Sequence, residues 1–401
     1  MSADGPSIST GDGLTQVTVG RDFAEIRDGV AAICRNYPGA YWRKLEDSGA
    51  YASEFVAELT QAGFLAALIP EEFGGSGLSL RAGGVILEEI HASGADGTTC
   101  HAQMYMMKML LWHGAPEQKQ RYLPGIADGS IRYQSFGVSE PSTGSDTLKL
   151  KTRAVRDGDT YVVSGQKIWT SRAMHSDLMT LLVRTTPLDQ VKKRTDGLSV
   201  LLVDLREAVG KGLTITPIET MVNHQTNALF FEELRVPAAN LIGEEGKGFR
   251  YILDGMNSER ILVSHESLGD ARYFIEKAVA YAKERVVFDR PVGQNQGIQF
   301  PIAKAHAEYR AADLMVRTAA SLFEVGRPCG EEANLSKLLS AEAAWNAGEA
   351  CMQTHGGFSV ARDYDIERKW RHARLQRIAP ISTNLILAYL AHSVLGLPKS
   401  Y

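Results

Sequence analysis

The run FGVSEPSTGSD, residues 136–146, mixes two glycines, small hydroxyls and two acids. Such a run can cradle a ligand with its backbone, because glycine permits close approach while Ser139 and Ser145 direct hydrogen bonds. A generic loop accounts equally well for the composition alone. It is not a phosphate loop of the GxxxxGK[ST] kind, and no GxGxxG occurs in the chain. IWTS, residues 168–171, closes a β-rich run. There Trp169 offers an aromatic plane to a planar ligand, core packing being the plainer use of a tryptophan.

These residues need elements to position them. The chain has 401 residues, more than one core usually serves, so two or three domains are expected. Apolar residues make up 44% and charged residues 22%, as in a globular protein, and the net charge of -4 leaves no footprint for nucleic acid. No apolar stretch approaches the roughly 18 residues of a membrane span. The polar, acidic start lacks a signal peptide's pattern, and residues 1–18 read as a flexible lead. Cys34, Cys100, Cys329 and Cys351 form no CxxC, so neither a zinc knuckle nor a redox dithiol is indicated. The expected setting is a reducing cytoplasm.

Apolar spacing in YASEFVAELTQAGFLAAL is helical, and residues 19–132 read as an N-terminal helical domain. Residues 133–242 read as a middle β domain, opening with two strands around the DGD turn of TRAVRDGDTYVVSGQKIWTS. Within it, DQVKKRTDG at 189–197 reads as a solvated loop. Residues 243–401 return to long helical patterns with few breakers, which suggests a bundle.

Taken together, FGVSEPSTGSD, GQKIWTS, VPAANLIGEEGKGFRYILDGMNSERI, ERVVFDRPVGQNQGIQ, CMQTHGGFS and IERKWRHARLQRI resemble the acyl-CoA dehydrogenase family, in its order and over nearly the whole chain. The resemblance implies a multidomain α+β fold: an N-terminal helical domain, a β-barrel-like middle domain and a C-terminal four-helix bundle. It also implies noncovalent FAD, an acyl-CoA thioester substrate, an electron-transfer flavoprotein as acceptor and a homotetramer. Phe136, Val138 and Ser139 match the stretch along the flavin ring, and Trp169 and Ser171 match its second contact. Arg285, Phe288, Gln296, Gln353 and Gly357 match residues that hold the diphosphate and adenine end from a neighbouring subunit. Ser382 and Asn384 match late FAD contacts. Ser145 matches a residue near the acyl or pantetheine side, and Phe249, Asn257 and Arg260 match the CoA tunnel or its adjoining helix. Asp289 stands where the family usually has a glycine, a position that bears on the local turn.

One family feature is absent. Many members place a catalytic glutamate in the late loop, where this chain has Pro380 in IAPIST. Other members place it beside the arginine of the bundle's first helix, and the residue here is Glu259 in MNSERI. Glu259 is therefore the expected base, with a Glu–Arg pair on a polar helix face as the bland alternative. Pro380 also removes an N–H that polarises the thioester carbonyl, a donor worth roughly 3 kcal/mol at comparable sites. Ile381 could supply it instead. His355 matches the adenine-side loop, and packing roles are expected for His355, His372, His91 and His101. The resemblance implies dehydrogenation to a trans-2-enoyl-CoA, with short or branched chains suggested by the position of Glu259. Relatives without the late-loop glutamate include desulfinating and oxygen-using flavoproteins, and a catalytically inactive FAD- or CoA-binding protein is a further alternative.

Overall fold

The computed structural model describes residues 22–399. The lead expected over residues 1–18 lies outside them. Six helices come first: α1 (Ala24–Cys34), α2 (Gly39–Ser48), α3 (Ser53–Gln61), α4 (Leu80–Ala92), α5 (His101–His113) and α6 (Pro116–Asp128). Strands follow: β1 (Tyr133–Gly137), β2 (Arg153–Asp157), β3 (Thr160–Ser171), β4 (Leu178–Arg184), β5 (Leu198–Asp204), β6 (Leu213–Pro217), β7 (Thr226–Pro237) and β8 (Leu241–Ile242). A short helix, α7 (Leu205–Ala208), succeeds β5. The chain then forms α8 (Gly248–Glu284), a hairpin of β9 (Val286–Val287) and β10 (Arg290–Pro291), and α9 (Gln296–Glu324). It ends with α10 (Gly330–His355), α11 (Ile366–Gln376) and α12 (Thr383–Tyr389). No helix among the described residues is long and apolar enough to cross a membrane.

Contacts divide the chain into two compact units. A β unit holds residues 45–78 and 98–256, and a helical unit holds residues up to 44, 79–97 and 257 onward. The helices before β1 are thus shared out: α3, α5 and α6 go with the sheet, α1 and α4 with the later helices.

In the β unit, eight strands pair in the order β6-β7-β3-β2-β4-β5-β8, with β1 added in parallel on β4. The apolar runs LMTLLVR and LSVLLVD make β4 wholly buried and β5 nearly so, as expected for strands covered on both faces. Tyr161 and Val163 of β3, Met179 of β4, Val203 of β5, Leu213 of β6 and Phe231 of β7 share one core. These strands thus contribute to a single apolar core. Gly165 interrupts β3 with φ 147, and a Cβ there would lie 2.6 Å from the Thr152 Cα. Only glycine lets β3 pass Thr152 so closely.

The helical unit packs α8, α9, α10 and α11 through small residues. Ala271 and Ala278, Ala305, Ala344 and Ala347, and Ala373 surround Phe274. Small side chains let the axes approach, and large ones fill the remaining gaps. At 37 residues α8 extends about 55 Å. Between β9 and β10, Phe288 (φ 52) and Asp289 (φ 61) form a two-residue turn with both residues left-handed. Aspartate tolerates that conformation, so the turn forms without the family's glycine.

Candidate functional site

The predicted residues of the β unit converge where β1 ends and β3 ends. Ile168 N–H donates to the Ser139 carbonyl at 2.9 Å, which sets the Phe136–Ser139 stretch beside Trp169. Below this contact Lys167 is fully buried. Its ammonium donates to the Val138 carbonyl at 2.9 Å and pairs with Glu140 at 3.0 Å. Glu140 also accepts the N–H groups of Lys151 (2.7 Å) and Thr152 (2.8 Å). Burial pushes Lys167 down to about 8 against the pull of Glu140. Burial raises the Glu140 carboxyl, but Lys167 and the hydrogen bonds outweigh it and hold the carboxyl low.

Trp169 is not a core residue. It has φ 60 and is 59% exposed, while its neighbour Thr170 is fully buried with an Oγ1 that finds no partner. Phe136, Val138, Ser139 and Ser171 are half-buried. Ser145 lies exposed beyond the Glu140–Thr143 bridge and is not drawn into this group. Phe249 is half-buried in the first turn of α8. Sequence reasoning missed Lys167 and Glu140. The available signal was a lysine at an inward strand position, in register with Tyr161 and Val163.

In the helical unit, Asn257, Glu259 and Arg260 occupy one turn of α8. The Glu–Arg pairing offered as the bland alternative does not form. Arg260 donates instead to Asn257 Oδ1 at 3.0 Å, and its Nε is buried without a partner. Glu259 is 7% exposed and accepts no hydrogen bond from the described residues. Burial pushes its carboxyl up to about 7; Arg260 and Lys337 oppose the rise and Glu266 adds to it. Lys337, itself pushed down to about 8 by burial, donates to the Gln376 carbonyl. The Gln376 amide donates to Glu266 at 3.2 Å. In the late loop the Ala379–Pro380 peptide is cis, and Ile381 N–H donates to no described residue. Ser382 Oγ accepts the Leu385 N–H at 3.3 Å and caps α12, and Asn384 is exposed.

Arg285, Phe288, Gln296, Gln353 and Gly357 are all exposed. Arg285 lies over the Phe358 ring at 5.6 Å, close to Gly357 in the chain, and makes no ion pair among the described residues. The histidines pack. His355 donates from Nδ1 to the Cys351 carbonyl at 2.9 Å and stacks on Tyr281 at 4.1 Å. His91 accepts the Gly97 N–H at Nε2 and faces Asp270 with Nδ1, each at 3.0 Å. Burial lowers His372, but Asp96 and Asp270 outweigh it and raise the ring. His91, Asp270 and His372 converge like metal ligands, yet the Lys369 ammonium already pairs with Asp270 and lies 3.3 Å from His91 Nδ1.

Residues 21–130, 135–234 and 246–393 match the family models described as the N-terminal, middle and C-terminal domains of acyl-CoA dehydrogenase. Acyl-CoA dehydrogenase FadE12 of Mycobacterium tuberculosis is 33% identical over 94% of this chain and 96% of its own length. The acryloyl-CoA reductase (NADH) of Anaerotignum propionicum is 32% identical over 86% of this chain and 87% of its own. The solved acyl-CoA dehydrogenase of Geobacillus kaustophilus superposes with a TM-score of 0.88 at 27% identity, covering 95% of this chain and 100% of that one. The chain belongs to the acyl-CoA dehydrogenase family and is an FAD-dependent oxidoreductase acting on the CH–CH group of acyl-CoA-like thioesters.

Proposed function

We propose that the protein desaturates a short or branched acyl-CoA to its trans-2-enoyl-CoA, with Glu259 as the base that takes the α-proton. The observation that carries this reading is the state of Glu259: buried, without a hydrogen-bond donor among the described residues, and raised to about 7. A carboxylate in that state has a proton affinity matched to abstraction near neutral pH. Bound FAD supplies the acceptor for the hydride that leaves the β-carbon.

The chain's residues suit that cofactor. The exposed plane of Trp169 and the unpartnered Thr170 Oγ1 fit a flat ring system edged with polar atoms, and the unpaired fork of Arg285 fits a diphosphate. Phe136, Val138, Ser139, Trp169 and Ser171 would hold the ring, and Ser382 and Asn384 are assigned to FAD by the family match alone. Arg285, Phe288, Gln296, Gln353 and Gly357 hold the diphosphate and adenine of a neighbouring subunit in a homotetramer. Ser145, Phe249, Asn257 and Arg260 receive the CoA thioester. Because Pro380 has no N–H, the unengaged N–H of Ile381 takes over polarisation of the thioester carbonyl. Electrons leave to an electron-transfer flavoprotein.

An anaerobic titration of the purified enzyme with a panel of saturated acyl-CoAs, read at the flavin absorbance band, tests this. The band bleaches for the favoured chains. In Glu259→Gln it bleaches about 100-fold to 10,000-fold more slowly while FAD stays bound. An unchanged rate in that variant removes Glu259 as the base.

A further inference from the structure

We propose that Arg172 recognises a carboxylate on the acyl group, so that the substrate is the CoA monothioester of a dicarboxylic acid. This rests on the dehydrogenation reading and narrows it.

Arg172 follows directly on Ser171 and is only 3% exposed. Its guanidinium has no carboxylate within ion-pair distance among the described residues. The one side-chain hydrogen bond it makes runs from Nη2 to His101 Nε2 at 3.2 Å, and its buried Nε has no partner. Burying an unpaired cation costs several kcal/mol, so the fold gains no stability from it as it stands.

The backbone is nonetheless built to keep it there. Arg172 has φ 56 and Gln225 has φ 51, both left-handed in side-chain-bearing residues. Arg172 N–H donates to the Gln225 carbonyl at 2.7 Å, and the Asn227 amide donates to the same carbonyl at 2.7 Å. The His175 ring meets Gln225 Oε1 at 2.9 Å, and His175 N–H donates to the Arg172 carbonyl at 3.0 Å. A strained loop held by this many bonds presents a preformed cation.

The surroundings favour a negative charge. A guanidinium can only donate, so His101 accepts at Nε2. His175 is held low by burial, with the Arg172 charge adding to the effect. His101 also opens the 13-residue α5, whose positive end adds to the field and whose N-cap, Cys100, supplies no capping side-chain bond. The planar fork of Arg172 matches a carboxylate, which accepts two parallel N–H bonds in one plane. Arg172 directly follows Ser171, assigned above to the flavin ring, which makes short diacid chains the ones to test.

The test uses the FAD-loaded enzyme and two matched pairs, adipyl-CoA against hexanoyl-CoA and glutaryl-CoA against pentanoyl-CoA. Dissociation constants come from the flavin spectral shift, and kcat/KM from flavin reduction. The wild type prefers the carboxylated member of each pair at least tenfold. Arg172→Gln lowers that preference about 30-fold or more, and Arg172→Lys restores part of it. Equal or reversed preference in the wild type overturns the proposal, and decides it even if Arg172→Gln fails to fold. A loss in Arg172→Gln shared equally by both members, or a shifted flavin potential with the preference intact, also overturns it by assigning Arg172 to the fold or to the cofactor. Flavin bleaching by hexanoyl-CoA without any preference for adipyl-CoA leaves dehydrogenation standing and removes only this inference.

Discussion

Lys167 and Glu140 form a buried ion pair, 3.0 Å apart, that fastens the end of β1 to β3 directly beneath the residues assigned to the flavin. Glu140 holds two further backbone N–H groups, so its charge is fully used. Glu140→Ala leaves the Lys167 ammonium buried beside a single carbonyl. The expected destabilisation is about 3–5 kcal/mol, with a lower FAD content in the purified protein. Thermal melting and flavin-to-protein absorbance ratios measure both, and an unchanged melting temperature would show that the pair is dispensable.

Asp270 anchors a second interior cluster, between Lys369, His91 at 3.0 Å and His372 at 3.4 Å. Asp270→Asn strands the lysine and is expected to cost about 3–5 kcal/mol in a denaturant titration. Since the ammonium already pairs with Asp270, a metal chelator leaves the wild-type melting temperature where it was. A chelator-induced drop would mean that an ion displaces Lys369.

Arg27, Glu88, Glu89 and Arg272 join α1, α4 and α8 in a buried cluster, with Arg27 2.9 Å from Glu88 and Arg272 2.7 Å from Glu89. Burial alone would raise the Glu88 carboxyl, but His265 and Arg27 outweigh it and hold the group well below its ordinary 4.5. A depressed folded value gives stability that is present above 4.5 and lost as pH falls toward the folded value. Acid unfolding of the wild type therefore steepens below 4.5, and Glu88→Gln, less stable at neutral pH, shows a flatter acid limb. Parallel acid limbs would contradict this.

The two left-handed residues of β3 and its sequel explain why the fold was more legible in the sequence than the site. Strands such as LMTLLVR announce themselves through local composition, and long helices through apolar spacing. Trp169 and Arg172 depend on conformations that their residue types disfavour, enforced by Gln225 and Asn227 more than fifty positions later. No local pattern carries that information. Lys167 sat in plain view inside GQKIWTS, but its partner could be assigned only once the Glu140 loop was seen folded over it. For Glu259, sequence supplied the residue, and tertiary packing supplied its burial while Arg260 turned to Asn257.

That burial fixes how Glu259 responds to pH. Its folded value, about 7, lies above the ordinary 4.5, so the protonated form is the one that the buried pocket favours. The contribution to stability is fully present below 4.5 and is lost as pH rises through 7. The gap of about 2.5 units corresponds to about 3 kcal/mol. Glu259→Gln, neutral at every pH, should therefore match the wild type near pH 4.5 and exceed it at pH 8 by up to that amount, as urea midpoints would reveal. Activity runs the opposite way, because a base works only when deprotonated: wild-type kcat/KM rises through about pH 7 while folding stability declines. A flat kcat/KM between pH 6 and 8, or a Glu259→Gln variant less stable than the wild type at pH 8, would defeat the assignment of this carboxyl as the tuned base.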